Sequence, residues 1–139
     1  MPFGDQMTLV RHAGQLVNYV HSQHNPAANT KATITRAAGA AGVRNVGVGF
    51  CVYFMAGATA PTATQITVAL IDGASGGTTY LWGPVVIGIP ATAGATTGFI
   101  VGTCWKMGST ATGMTLEFSA AGGANTIESV DFDSVQIYE

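Results

Sequence analysis

From residue 30 onward, the sequence alternates short runs of apolar and β-branched residues with connectors made of small residues. The connectors contain pairs such as Asp72-Gly73 and Gly122-Gly123, and glycine supplies the positive φ that tight β-turns require. Short strands separated by such turns are typical of an antiparallel sandwich or barrel. We therefore predict an all-β fold, an antiparallel, jelly-roll-like β-sandwich with an N-terminal arm. The predicted strands cover residues 30–36, 43–55, 65–72, 78–89, 97–106, 114–119 and 127–138.

The run 43–55 carries the clearest strand pattern. Its even positions, from Val46 to Phe54, are large and apolar, whereas its odd positions are small apart from Tyr53. The side chains of a strand alternate between the two faces of its sheet. The even face is therefore predicted to build the core, and the glycines of the odd face allow another backbone to approach closely.

Two further strands show alternation. In residues 114–119, apolar residues alternate with Thr115, Glu117 and Ser119, which predicts a polar outer face. In residues 127–138, Val130 and Phe132 lie in one phase, whereas the apolar residues after them lie in the other. This slip of one residue predicts a β-bulge near residues 133–134.

Residues 1–29 differ in composition from the rest and are predicted to form an arm, followed by a sandwich domain over residues 30–139. Apolar residues between Val10 and Val20 recur at helical spacing, but Gly14 weakens a helix by about 1 kcal/mol relative to Ala. The alternative is two short strands, 7–11 and 15–20, and we favour strands or an extended arm. Because the arm has too few large apolar residues for a core of its own, we expect contact with another chain to order it.

Charge is scarce and unevenly distributed in this chain of 139 residues. Charged residues make up 9% of the sequence, where a soluble domain usually carries about 25%. Between Arg44 and Lys106, Asp72 is the single charged residue among 61 positions. The net charge of −2 argues against nucleic-acid binding and against docking on an anionic membrane. The low-charge surface instead predicts a homo-oligomer, a trimer, whose subunits cover it.

Motifs for catalysis are missing from the sequence, and we expect no enzymatic activity and no cofactor. No Gly-x-Ser-x-Gly elbow is present, and Cys51 and Cys104 both lie in apolar strand-like runs, where a thiol is inert. Two cysteines do not make a disulfide framework, and we expect free thiols, with a disulfide between them as the alternative. Residues 1–20 lack the continuous apolar core of a secretion signal.

Histidines and acidic residues provide two hypotheses for a metal site. His12, His21 and His24 all lie in the arm, and the last two would share one face of a helix. Glu128, Asp131 and Asp133 offer oxygen ligands of the kind that calcium prefers. Neither group has the ligand loop or spacing of a known metal motif, so we predict no metal. The three histidines and Arg11 are instead predicted to contact a partner, and the carboxylates to form a solvated sheet edge.

Two aromatic residues give an alternative function. Tyr80 and Trp82 are two positions apart in one strand, which would place both rings on one face of the sheet. Two adjacent exposed rings form a platform on which sugars stack, as in a lectin-like site. The alternative to such a platform is a role for both rings in the core or in a contact between subunits.

The chain from Thr30 to Glu139 resembles the small all-β virion proteins of tailed bacteriophages, which serve as capsid decoration (cement) proteins or as head-fibre and tail accessory subunits. The similarity is carried by residues 58–63 (ATAPTA), 68–74 (VALIDGA) and 79–83 (TYLWG), within a sequence in which Ala, Gly and Thr make up 58 of 139 positions. The resemblance implies a sandwich subunit, commonly trimeric, that binds the major capsid protein and has no catalytic residues.

The function expected from this resemblance is that of a non-enzymatic virion structural protein, a decoration subunit that binds and stabilises the phage head. Its location would be the virion, assembled in the cytoplasm of the bacterial host. The alternative is a carbohydrate- or receptor-binding β-sandwich module of a phage fibre or tail, which would use Tyr80 and Trp82.

Overall fold

The computed structural model describes residues 16–61, 64–89 and 91–138. This part of the chain consists of strands and loops, and no helix long and apolar enough to cross a membrane is found in it. The strands are β1 (Leu16–His24), β2 (Thr33–Arg36), β3 (Val43–Ala56), β4 (Thr64–Asp72), β5 (Tyr80–Ile89), β6 (Thr96–Val101), β7 (Lys106–Thr110), β8 (Met114–Phe118) and β9 (Thr126–Tyr138).

The strands form two antiparallel sheets that pack face to face. Sheet I has the order β1-β9-β3-β6, and β7 also pairs with β3, whereas sheet II has the order β2-β8-β4-β5. The described part of the chain passes between the sheets at six connections, and apart from β4 and β5 the paired neighbours within a sheet are not consecutive in sequence. This path is that of a jelly-roll-like sandwich, and the predicted fold class is confirmed.

The core between the sheets is built by large apolar side chains from both. Phe54 and Phe118 contact each other with ring centroids 4.6 Å apart, and the Phe50 ring packs edge-on against Trp82 at the same distance. Side chains of this size bury enough apolar area to stabilise the sandwich without a disulfide or a metal. The core members are Ala32, Ile34, Phe50, Val52, Phe54, Ile66, Val68, Leu70, Ile87, Met114, Leu116, Phe118, Val130 and Phe132.

The predicted core face of β3 is confirmed for one half of the strand. Phe50, Val52 and Phe54 are buried in the core between the sheets. Val46 is also fully buried but is not a member of that cluster, and Val48 is only partly buried. The reason is a change of phase, since the pairing of β3 with β9 shifts between Gly47 and Gly49 and leaves Val48 as the additional residue. On the N-terminal side of this shift, Gly47 is the residue that faces the core. A Cβ added to it would lie 3.1 Å from core side chains of β4 and β9.

A bulge was predicted in β9 at residues 133–134. The structure has the bulge in the neighbouring strand β3, opposite those residues. Gly47 pairs with Ser134 and Gly49 with Asp133, so the additional residue is in β3, and β9 continues without interruption. The sequence indicated a slip in β9 because its outward-facing residues after position 133 are also apolar. The close backbone approach predicted for the glycines occurs at Gly49, where an added Cβ would lie 3.1 Å from the Gly102 carbonyl oxygen.

The described part of the predicted arm belongs to the sandwich. β1 pairs along its length with β9, from Leu16 opposite Ile137 to His24 opposite Val130. The predicted second short strand, 15–20, therefore exists and extends to residue 24, and the helical alternative is wrong for these residues. The sandwich begins within the predicted arm because β9 offers its free edge to β1. The first predicted strand, 7–11, lies outside the described residues.

Strand β8 is buried on both faces, contrary to the predicted polar outer face. Thr115 is fully buried, and its hydroxyl donates a hydrogen bond to the Gly73 carbonyl at 2.7 Å. Glu117 retains 5% exposure and accepts a hydrogen bond from the Gly76 amide at 2.8 Å. The loop between β4 and β5 thus covers the outer side of this strand, a contact that strand periodicity does not report.

Candidate interaction surfaces

The predicted partner-binding residues are separated in the structure. Arg11 and His12 lie outside the described residues. His21 contacts Asp133 through Nδ1 at 2.8 Å, and both side chains are partly exposed. His24 accepts a hydrogen bond at Nδ1 from the Thr33 amide at 3.0 Å. The two histidines are three apart in a strand and therefore point to opposite faces.

The acidic cluster predicted near the last strand is divided between the two faces of sheet I. Asp131 and Asp133 share the outer face of sheet I and line a pocket of about 190 Å³. They do not form the predicted sheet edge, because β9 is paired with β1 on one side and with β3 on the other. The Tyr19 hydroxyl donates a hydrogen bond to Asp133 Oδ1 at 2.7 Å, and this bond raises the pKa of Tyr19. Glu128 lies in the interior instead of at a solvated edge. Within the described ranges, no group of three or more histidine, cysteine or acidic residues could hold a metal ion.

Glu128 is a carboxyl group buried at one end of the core. Its Oε2 accepts a hydrogen bond from the Ala32 amide at 2.7 Å, and the Gly122 amide also favours the ionised carboxyl. Its Oε1 has no hydrogen-bond partner among the described residues. Burial raises the pKa of Glu128 to about 7, although both amides and the charge of Lys31 favour the ionised form.

Tyr80 and Trp82 do not form the platform that was the alternative to a role in the core or in a subunit contact. Trp82 pairs with Leu70 and faces the core, where it packs against Phe50 and against Phe99 at 5.4 Å. Tyr80 pairs with Ile71. The register shifts between the Leu70–Trp82 pair and the Ile71–Tyr80 pair, so Leu81, which lies between the two aromatic residues, forms a bulge. The bulge turns the Tyr80 ring to the outer face of sheet II, where it is 46% exposed. The shared face inferred for the two rings is therefore wrong, and Trp82 has the core role that was the other possibility.

The two cysteines are free, which confirms the default prediction for them. Cys104 packs against the core, and its Sγ donates a hydrogen bond to the Gly47 carbonyl oxygen at 3.1 Å. Burial raises the pKa of both thiols, and the charge of Asp131 raises that of Cys51 further. A thiol with a raised pKa is a poor nucleophile at neutral pH.

An exposed region with three large apolar side chains lies along β6, β7 and the segment between them, here called the β6–β7 edge. Ile100 is 76% exposed, Trp105 is 50% exposed and Met107 is 45% exposed. Ile100 pairs with Cys51 and Met107 with Val46, which places both side chains on the outer face of sheet I. Trp105 has a φ of 38°, a left-handed conformation that is costly for a bulky residue. The backbone therefore holds a large ring at the point where the edge strand is interrupted.

The β6–β7 edge was only partly predictable. The sequence placed a single strand over residues 97–106 and a connector over 107–113, whereas the edge consists of two strands, each paired with a different half of β3. The nearly uncharged segment 45–105 was the signal that pointed here, since Ile100 and Trp105 fall within it. No protein-family model matches this sequence, and no curated protein and no solved structure is significantly similar to it.

Proposed function

We propose that this protein is a non-enzymatic structural subunit of a bacteriophage virion, a decoration protein that assembles as a homotrimer on the major capsid protein. The observation that carries the proposal is the β6–β7 edge, where Ile100, Trp105 and Met107 are exposed and Lys106 is the single charged residue of the two strands. Exposed apolar residues in such a setting are typical of protein–protein contact sites. The sandwich scaffold and the resemblance described above are consistent with this role.

The mechanism of stabilisation would be mass action. A subunit that binds the assembled head but not its dissociated proteins stabilises the head by RT ln(1 + [L]/Kd). A trimer seated on a symmetry axis makes three attachments at once, which multiplies weak individual contacts. This mechanism requires neither a cofactor, a nucleic acid nor a membrane.

Co-sedimentation with heads tests the proposal. Heads are purified from a phage in which this coding sequence has been deleted, and the purified protein is added at increasing concentration. We expect saturable binding, and a rise in the temperature at which the heads release their DNA, followed with a DNA-binding dye. Absence of binding by the folded protein would contradict a decoration role.

A matched pair of variants locates the contact. Ile100→Lys places a charge on the β6–β7 edge, whereas Gln65→Lys places the same charge at an exposed position of β4 in sheet II. We expect Ile100→Lys to bind heads at least tenfold more weakly, a loss of about 1.4 kcal/mol, and Gln65→Lys to bind as the natural protein does. Equal binding by the two variants would show that the β6–β7 edge does not mediate assembly.

A further inference from the structure

We propose that a pocket on the outer face of sheet II binds one neutral sugar residue. The pocket has a volume of about 210 Å³ and lies between the β4–β5 loop and strands β4, β5 and β8. Its lining includes Lys31, Thr67, Thr78, Tyr80 and Glu117. Pockets for drug-sized ligands measure roughly 300–1,000 Å³, so this one suits a single small ring. The inference does not depend on the role in a virion.

The pocket combines an aromatic wall with a small apolar floor. Tyr80 lines it and keeps 46% of its surface exposed, so the ring remains available to a ligand. Ala69 and Ile71, both buried, contribute the apolar part of the lining. A sugar ring presents C–H groups on its faces and hydroxyls around its edge, and the C–H faces pack on an aromatic ring such as that of tyrosine. An apolar lining with a few oriented polar groups is the usual composition of a binding pocket.

The polar wall is held in a fixed geometry. Glu117 Oε2 accepts hydrogen bonds from Lys31 Nζ at 2.7 Å and from the Ser75 hydroxyl, and Oε1 accepts one from the Gly76 amide at 2.8 Å. Burial by itself would raise the pKa of Glu117, but these hydrogen bonds outweigh it and the pKa lies below its ordinary value. Glu117 therefore stays ionised and paired with Lys31 at neutral pH. A rigid carboxylate of this kind can orient a hydroxyl without being displaced.

Several polar groups in the pocket have bonding capacity left. The Lys31 ammonium has three N–H donors, and it bonds to Glu117 and to Ser75 at 3.1 Å. The hydroxyls of Thr67 and Thr78 form no hydrogen bond with any other residue in the described ranges. Because Lys31 is neutralised by Glu117, the pocket offers no unpaired positive charge to attract an anion. The matching ligand is small, uncharged and rich in hydroxyls, which describes a sugar.

Titration with monosaccharides tests the proposal. Glucose, galactose, mannose and N-acetylglucosamine are each added to ¹⁵N-labelled protein up to high millimolar concentration, with sodium phosphate as a separate arm. We expect at least one sugar to cause saturable shifts of the amides of Gly76, Gly77 and Thr78, and phosphate to cause none. The proposal is overturned if no sugar shifts these amides, or if phosphate shifts them instead.

Two tyrosine variants supply the matched comparison. Tyr80→Ala removes the ring from the pocket, and Tyr138→Ala removes an equally exposed tyrosine from the end of β9 in sheet I. We expect Tyr80→Ala to weaken sugar binding at least tenfold and Tyr138→Ala to leave it unchanged. Thr78→Ala, a smaller change in an exposed loop, should weaken binding without affecting the fold. Unchanged binding by Tyr80→Ala and Thr78→Ala would refute the assignment of the pocket.

Discussion

Glu128 shows how a single side chain can join two layers of a sandwich. It stands on β9 in sheet I, and its carboxyl accepts a hydrogen bond from the amide of Ala32, which precedes β2 of sheet II. An apolar residue here would leave the Ala32 amide without this partner, and a buried donor without a partner costs about 1–3 kcal/mol. The ionised carboxylate is in turn penalised by burial. The residue therefore stabilises the junction best in its protonated form.

A dependence of stability on pH follows from this environment. The pKa of Glu128 is about 7 in the folded protein, above the ordinary value of 4.5, so the folded state holds this proton more tightly than the unfolded state. The stabilisation is fully present below the ordinary pKa and is lost as the pH rises through about 7. Thermal unfolding should therefore occur at a lower temperature at about pH 8 than at about pH 5.

Glu128→Gln isolates this contribution, because its amide oxygen can still accept the Ala32 hydrogen bond and the side chain does not titrate. We expect the difference in melting temperature between the variant and the natural protein to shift in favour of the variant as the pH rises from about 5 to about 8. A difference that stays constant with pH would show that Glu128 has an ordinary pKa.

Phe50 is a core side chain of β3 whose truncation should be costly. It is 3% exposed and packs against Trp82, so Phe50→Ala would leave a cavity at the contact between the two sheets. We expect the free energy of unfolding to fall by about 3–5 kcal/mol. Thr103→Ala, at an exposed loop position, should change it by less than about 0.5 kcal/mol. Urea denaturation measures both, and equal midpoints would contradict the assignment of Phe50 to the core.

Among the elements, strand positions were predictable from the sequence and their pairing partners were not. The alternation in residues 43–55 and the glycine pairs in the turns are local signals, and β3, β4, β8 and β9 lie within a residue or two of their predicted bounds. Bulges depend on the neighbouring strand, so the sequence placed the slip in β9 and missed the one beside Tyr80. The burial of Glu117 depends on its contact with Gly76 in the β4–β5 loop, a residue 41 positions away in the sequence. These long-range contacts are why the sugar pocket could not be predicted.

Strand β1 provides a test at the level of an element. Deletion of residues 1–25 would remove β1, the hydrogen bond between His24 and the Thr33 amide, and the contact between Asn25 and the Ser129 hydroxyl. It would also leave one edge of β9 without a partner, and an unpaired strand edge promotes aggregation. We expect the truncated protein to unfold at lower urea concentration and to aggregate. A truncated protein as stable as the full chain would show that β1 is dispensable to the sandwich.

For the whole molecule, the sparse charge of residues 45–105 makes self-association the central expectation. The β6–β7 edge is apolar, and an isolated subunit would leave it exposed to water. We expect light scattering to give the mass of a trimer, three times 14.1 kDa, at tens of micromolar. Ile100→Lys should shift the population toward monomer, and Gln65→Lys should not. A natural protein that stays monomeric throughout would contradict self-association in the absence of a capsid.

The order of strands in sheet I has a consequence for how the protein is made. β1 is the first described strand to leave the ribosome, yet its strand partner among the described residues is β9, which is synthesised after all the others. During translation β1 therefore emerges long before the surface against which it pairs exists. Sheet I can close only after β9 has been synthesised, and folds dominated by such distant pairings form in milliseconds to seconds, not microseconds. Formation of the complete sandwich therefore follows the synthesis of β9, however early the other strands emerge.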